Sequence, residues 1–245
     1  MDQKEIAEIK ELVCDEVDAR SSMLIEASHA IHENPELNFE EHFAHELLTG
    51  ILEDEGLSPT RKAYDLDTAF EANIEGTGPT VAVLCEYDAL PDIGHACGHN
   101  IIATAGLGAG LAAATVAKKM GGSLRILGTP AEEGGGGKVF MGDRGAFESV
   151  DAALMVHPAS GDLVRMNTIA IHRLQVEYEG QAAHAAASPH RGKNALDAAV
   201  LGYQNIAALR QHIRPDERIH GIFTDGGRKP NIVPEYSSME WYVRS

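Results

Sequence analysis

The sequence predicts an α/β fold with a smaller α+β unit appended, on three observations. Short apolar, β-rich runs at 80–85, 124–128 and 152–156 alternate with helical stretches. One of these runs is followed by the hexapeptide His95-Ala96-Cys97-Gly98-His99-Asn100 and then by a long Ala- and Gly-rich helix. Near residue 165 the texture changes to longer, partly alternating segments suited to a sheet with one wet face.

In order, Ile6, Ile9, Val13, Val17, Leu24 and Ile31 recur at helical steps and predict one helix over 3–33. Asn34-Pro35 ends it, because proline pushes its predecessor out of the α region. A second amphipathic helix is expected over 40–55, closed by Gly56. Strands over 70–74 and 80–85 flank Gly76-Thr77-Gly78-Pro79, a turn composition. Past the second strand, Glu86 and Asp88 stand two apart and so project from one face. The helix after the hexapeptide reaches Met120, where Gly121-Gly122 closes it; Gly106, Gly108 and Gly110 suit close packing. A strand over 124–128 leads into Thr129-Pro130-Ala131-Glu132-Glu133 and four glycines. A helix to Phe147 and a strand over 152–156 follow, and the strand delivers His157-Pro158. Beyond the change of texture, a strand over 169–178, a helix over 194–211, a strand over 219–224 and an extended segment over 232–244 give a β-α-β-β order. The last residues, Trp241 to Ser245, carry no Gly, Pro or polar tail and read as a strand cut short. The expected domains are 1–167 and 168–245.

With 245 residues, 44% of them hydrophobic, the chain can bury a core as one large domain or two modest ones. A formal charge of −17 argues against nucleic acid and against an anionic membrane surface, since phosphate binding needs clustered Lys and Arg. The polar, acidic N-terminus lacks the layout of a signal peptide, and no apolar run approaches the ~20 residues that span a bilayer. Cys14, Cys85 and Cys97 are odd in number without framework spacing. The expectation is a cytoplasmic protein with reduced thiols free to bind metal.

Three strand ends deliver ligand-type residues: Cys97 and His99, then Glu132 and Glu133, then His157. Thiolate, imidazole and carboxylate match the preferences of zinc and related divalent ions. A two-metal site about 3.5–4 Å wide hydrolyses amides or esters by activating a shared water. In the glutamate pair, one acid can bind metal while its neighbour takes a proton from that water. Singly, each residue has a plain structural explanation: a small buried hydrophobe, a solvated face, a turn. Placement at successive strand ends outweighs them. His29, His32, His42 and His45 lack a completing acid or thiol at fixed spacing and read as surface or packing histidines. Gly134 to Lys138 imitates the end of a phosphate loop, but Val139 follows the lysine and Glu132 stands where the first glycine is required.

The hexapeptide, the run Thr129-Pro130-Ala131-Glu132-Glu133-Gly134-Gly135-Gly136-Gly137 and His157-Pro158 resemble the di-metal amidohydrolases of the aminoacylase type. These metallopeptidase relatives include hippurate, indole-acetyl-amino-acid and p-aminobenzoyl-glutamate hydrolases. Asn34-Pro35-Glu36-Leu37, Glu40-Glu41 and Asp88-Ala89-Leu90-Pro91 are further similar stretches, and the resemblance runs over nearly the whole chain. It implies an incomplete three-layer α/β/α di-zinc peptidase-like catalytic domain with an inserted, ferredoxin-like α+β lid and dimerisation domain. It implies Cys97, His99, Glu133 and His157 as ligands of two divalent ions, Zn or Mn, and Glu132 as general base. Gly180-Gln181-Ala182-Ala183-His184 resembles the lid motif, with His184 an oxyanion donor across a homodimer; Asn231 matches a substrate-binding asparagine. Implied substrates are N-acyl amino acids or dipeptide-like amides. Asn100, where many members have Asp, is similar to the branch holding p-aminobenzoyl-glutamate hydrolase and dipeptidases of unusual dipeptides. Members continue for well over a hundred residues and supply a further metal-binding His. The chain therefore resembles the first two-thirds of an enzyme, and the alternative is a catalytically incomplete fragment serving as a metal-binding or assembly subunit.

Overall fold

The computed structural model describes residues 2–164 and 168–245, in two compact units, Met1–Asp162 and Leu163–Ser245. The boundary expected at 167/168 falls against residues 165–167, outside the described residues.

The first unit opens with α1 (Gln3–Ala19), capped by Asp2, whose side chain accepts from the backbone of Lys4 and Glu5. Instead of one helix to residue 33, the chain bends at Arg20 (φ −102°, ψ 3°) and restarts as α2 (Ser21–Glu33). The Arg20 guanidinium ties this bend to Glu16 and to Glu55, beyond the end of α3 (His42–Asp54). Strands β1 (Thr60–Arg61), β2 (Phe70–Ile74), β3 (Thr80–Glu86), β4 (Ser123–Thr129) and β5 (Ala152–Leu154) form a mixed sheet in the order β1-β2-β4-β3-β5. β3 runs parallel to both β4 and β5, whereas β2 is antiparallel to β4. β2 and β3 are thus not neighbours, although only a short turn joins them; β4 lies between.

Side-chain alternation sets the two faces. Val83 and Cys85 of β3, with Leu124 and Ile126 of β4, pack beneath α2, α3 and α4 (His99–Met120). Ala82, Leu84 and Leu127 pack on the other face with Met141 of α5 (Gly137–Asp143) and Ala146. At 22 residues α4 is long and apolar enough to cross a bilayer, contrary to the expectation of no such run. Here it is the core helix, packed on β3, β4, α1 and α2. Its Gly106 lies so close to β3 that a Cβ would run into the Leu84 carbonyl and stand 2.9 Å from Cys85 Sγ. His45 is buried with its ring 6.1 Å from Phe70, and His42 is exposed.

The second unit is a separate antiparallel sheet, β6-β8-β7, built from β6 (Ile171–Glu179), β7 (Arg218–Asp225) and β8 (Tyr236–Arg244). Helix α6 (Ala195–Leu209), capped by Asn194, covers it with Ala199, Tyr203 and Ile206 against Met239 and Trp241 of β8. The β-α-β-β order is as expected.

Candidate metal centre

The carboxyl ends of β3 and β4 and the N-terminus of α4 converge, the region where α/β sheets place ligands. Glu86, the last residue of β3, and Asp88 just past it are both buried (0% and 1% exposed). The chain then turns through Gly98, whose φ of +80° suits glycine, and enters α4 at His99. A Cβ on Gly98 would stand 2.9 Å from Pro158, so the same glycine lets the His157-Pro158 segment lie against the hexapeptide.

Two clamps hold the β4 end. Glu41, buried, accepts from the Ala131 backbone at 2.8 Å and from Thr68 Oγ1 at 2.7 Å. Ala131 itself sits at φ +57°, an uncommon conformation for a residue with a Cβ. Asp88 accepts from the Glu133 backbone N–H at 2.8 Å, and the Glu133 carbonyl accepts from Asn38 at 2.5 Å. Glu133 is thereby turned inward, while Glu132 is exposed.

His99 lies at the centre. Its Nδ1 donates to Asp88 Oδ1 at 3.1 Å, so in the neutral ring Nε2 presents a lone pair. Nε2 stands 3.2 Å from Glu86 Oε1 and 3.8 Å from Glu133 Oε1. Ligand atoms of Cys97, His99 and Glu133 all lie within 4.8 Å of one another, as do those of Glu86, His99 and His157. The His157 Nδ1 donates to the Pro158 carbonyl at 2.7 Å, which likewise frees Nε2. The two imidazoles meet edge to face at 6.1 Å.

Titration behaviour follows from this crowding. Burial alone lowers the His99 pKa, but the Asp88 hydrogen bond and the charges of Glu86, Asp88 and Glu133 reverse it, and the net shift is upward. Burial raises Asp88, yet the His99 bond and the Glu133 and Glu132 backbone N–H groups outweigh that and hold it below its ordinary value. The Cys97 thiol is pushed up to about 11 by its hydrogen bond to Glu133, by burial and by neighbouring carboxylates. Glu132, exposed as a residue but partly desolvated by the surrounding chain, is raised by that desolvation and by the charges of Glu86 and Glu133, against Lys138. The upward shifts of His99, Cys97 and Glu132 share one cause, the carboxylates crowded around them, and such a surplus of negative charge favours a bound cation.

The structure thus gathers Cys97, His99, Glu133 and His157, with Glu132 at the rim. His184 and Asn231 lie in the second unit, brought together by pairing of their own loops. His184 bridges Ile232, and the Ala185 N–H donates to the Asn231 carbonyl at 3.0 Å. His184 Nδ1 accepts from the Ala186 and Ala187 backbones at 3.2 and 3.1 Å. Asp88 was not assigned a role from sequence. Its signal was the two-residue spacing from Glu86 on a strand end, which shows a shared face but not what faces it. Asn100 donates to Ser28 Oγ at 2.9 Å, tying α4 to α2.

Thiol, imidazoles and carboxylates gathered around a hydrogen-bonded histidine at the ends of an α/β sheet make a donor set of the metal-binding class. The family model described as peptidase family M20/M25/M40 matches residues 63–222, and the chain belongs to that family. It is 44% identical to the Xaa-Arg dipeptidase of Mus musculus, over 98% of this chain and 59% of that protein. It is 35% identical to one of the two kinds of subunit of the p-aminobenzoyl-glutamate hydrolase of Escherichia coli, over 97% of this chain and 54% of that one. The chain therefore spans little more than half the length of these relatives. A dinuclear metal-binding M20 peptidase of Bacillus subtilis shares the fold, with a TM-score of 0.70 at 22% identity, covering 93% of this chain and 65% of that one.

Proposed function

We propose that the chain carries the metal-binding and proton-transfer part of an amidohydrolase or dipeptidase that cleaves N-acyl amino acids or dipeptide-like amides. The observation that carries this reading is His99, fixed by Asp88 at Nδ1 with its bare Nε2 facing two carboxylates. Cys97, His99, Glu133 and His157 would hold two divalent ions. The donor set fits them: thiolate and imidazole favour zinc, and the carboxylate share leaves manganese open. When bound, such ions polarise a carbonyl and make water a nucleophile at neutral pH.

The chain's own residues supply the rest. Glu132, with its raised pKa and exposed carboxyl, takes the proton from the attacking water and returns it to the leaving amine. His184 receives two backbone N–H groups at Nδ1, so its neutral ring donates from Nε2, the form an oxyanion needs. It serves across a homodimer made through the second unit as a lid, with Asn231 beside it holding substrate. The Xaa-Arg dipeptidase and p-aminobenzoyl-glutamate hydrolase relatives support a dipeptide-like substrate. A reducing, cytoplasmic setting keeps Cys97 available as a ligand.

Metal analysis of the purified chain, with hydrolysis of Xaa-Arg dipeptides, p-aminobenzoyl-glutamate and N-acyl amino acids, tests the reading. About two ions per chain are expected, with turnover falling at least ~100-fold in Glu132→Gln. A chain that takes up no divalent metal refutes it. Metal uptake without turnover supports the second reading, a metal-binding or assembly subunit. One observation favours that reading: an apolar groove of about 450 Å³ lies open between α4 and the β5 edge, lined by Val81, Val83, Val116, Leu154 and Val156.

A further inference from the structure

We infer that Glu86 is itself a metal ligand at the His99–His157 end of the centre, with Lys138 as its countercharge; this rests on the metal reading above. Glu86 is wholly buried, and its two oxygens differ. Oε2 pairs with the Lys138 ammonium. Oε1 has no hydrogen-bond partner among the described residues, and neither does His99 Nε2, although the two approach to 3.2 Å. A buried carboxylate oxygen and a buried imidazole nitrogen facing each other are costly unless positive charge sits between them, as a proton on the ring or as a metal ion that displaces it.

The spacing suits one. Two ligands about 2.0–2.2 Å from a tetrahedral zinc stand about 3.3–3.6 Å apart. The Glu86–His99 separation of 3.2 Å lies as near that span as the Glu133–His99 separation of 3.8 Å. His157 completes a triad with them within 4.8 Å. His99 Nε2 can serve one ion only and belongs to both triads; with Glu86 and His157 as its companions, Cys97 and Glu133 remain for the other ion. Lys138 occupies the second Glu86 oxygen, which leaves Oε1 as the single donor and offsets one charge in a crowded set of acids. The lysine that imitates a phosphate loop thus acquires a role through the carboxylate it holds.

The test is Co²⁺ and Zn²⁺ binding to the 245-residue chain and to Glu86→Gln and Glu86→Asp, measured by chelator competition and by the visible spectrum of the cobalt form. Glu86→Asp keeps the charge and the lysine partner but withdraws the oxygen, so it separates ligation from mere charge and guards against a Gln variant that fails to fold. The expected result is a loss of affinity for one ion of at least ~10-fold in both variants, with a changed cobalt spectrum. Unchanged affinity and spectrum in a folded variant overturn the inference and leave the metal reading intact. A Glu86→Asp that keeps unaltered affinity assigns Glu86 to charge alone and also overturns it. No metal uptake by the unaltered chain refutes both.

Discussion

Asp88→Asn tests the centre through a residue proposed to touch neither metal nor substrate. The Asp88 carboxylate accepts from His99 Nδ1 at 3.1 Å and from the Glu133 N–H at 2.8 Å. An amide of the same shape has one oxygen, so one donor meets an NH₂ group. If the oxygen keeps Glu133, the NH₂ faces Nδ1 and drives the ring proton to Nε2, the atom needed for a metal. If it keeps His99, the Glu133 loop loses its anchor. A hydrogen bond to a charged group contributes about 1.5–3 kcal/mol, and each 1.4 kcal/mol is about tenfold in affinity. The expected loss of Zn²⁺ affinity is therefore about 10–100-fold, the range found for outer partners of ligating histidines. Chelator competition measures it, with far-UV circular dichroism as a check on folding. An Asp88→Asn chain that binds zinc within threefold of the unaltered one refutes the claim that Asp88 sets the His99 tautomer.

Two further expectations concern the scaffold. Gly106→Ala pushes a methyl into the Leu84 carbonyl and against Cys85, and should cost about 1–3 kcal/mol of stability in denaturant unfolding. Gly50→Ala, in α3 with open space at its Cβ position, should gain up to about 1 kcal/mol; equal effects at both glycines would count against the close α4–β3 packing. The second expectation is a pH effect. Burial lowers the His45 pKa against the pull of Glu46, so the unfolded chain binds its proton more readily. His45 therefore contributes stability above its ordinary value of about 6.5 that is lost as pH falls through the lowered folded value. Unfolding between pH 7 and 5 should show a slope with a His45 share of no more than about 1.4 kcal/mol per pH unit, and His45→Gln should flatten it. An unchanged slope would show that the ring titrates freely.

Much of this was legible in the sequence, for local reasons. The continuous apolar run of β3 and the glycine spacing of α4 depend on neighbours within a few residues, and so does the break at Asn34-Pro35. Strand order does not. β2 pairs with β4 rather than β3, with Phe70 packed over Gly128, a contact between residues far apart in the chain. The bend at Arg20 is tied to Glu55, a pairing that no helical periodicity reveals. The centre divides in the same way. Cys97, His99, Glu133 and His157 carry ligand chemistry on their faces and stand at strand ends. Asp88 and Lys138 matter only through what α4 and α5 bring against β3. His184 and Asn231 rested on resemblance alone, since an exposed loop histidine and a turn asparagine carry no local signal.

His99 begins a 22-residue helix, whose positive end disfavours a proton on the ring by about 0.3–1 kcal/mol. The Asp88 bond alone is of the charged kind, about 1.5–3 kcal/mol, and Glu86 and Glu133 act in the same direction. The carboxylates win, and the His99 pKa rises. A metal must therefore compete with protons on His99 and on Cys97, whose thiol sits at about 11. Below that value the thiol proton leaves on binding, and as pH drops toward the His99 value a second leaves with it. Zinc added to the metal-free chain in weak buffer at pH 7, with an indicator dye, should release at least one proton per chain, rising as pH is lowered. Cys97→Ser should remove most of the release at neutral pH and leave the low-pH increment. Binding with no proton release would mean that the thiol and imidazole are not the ligands, whatever the affinity.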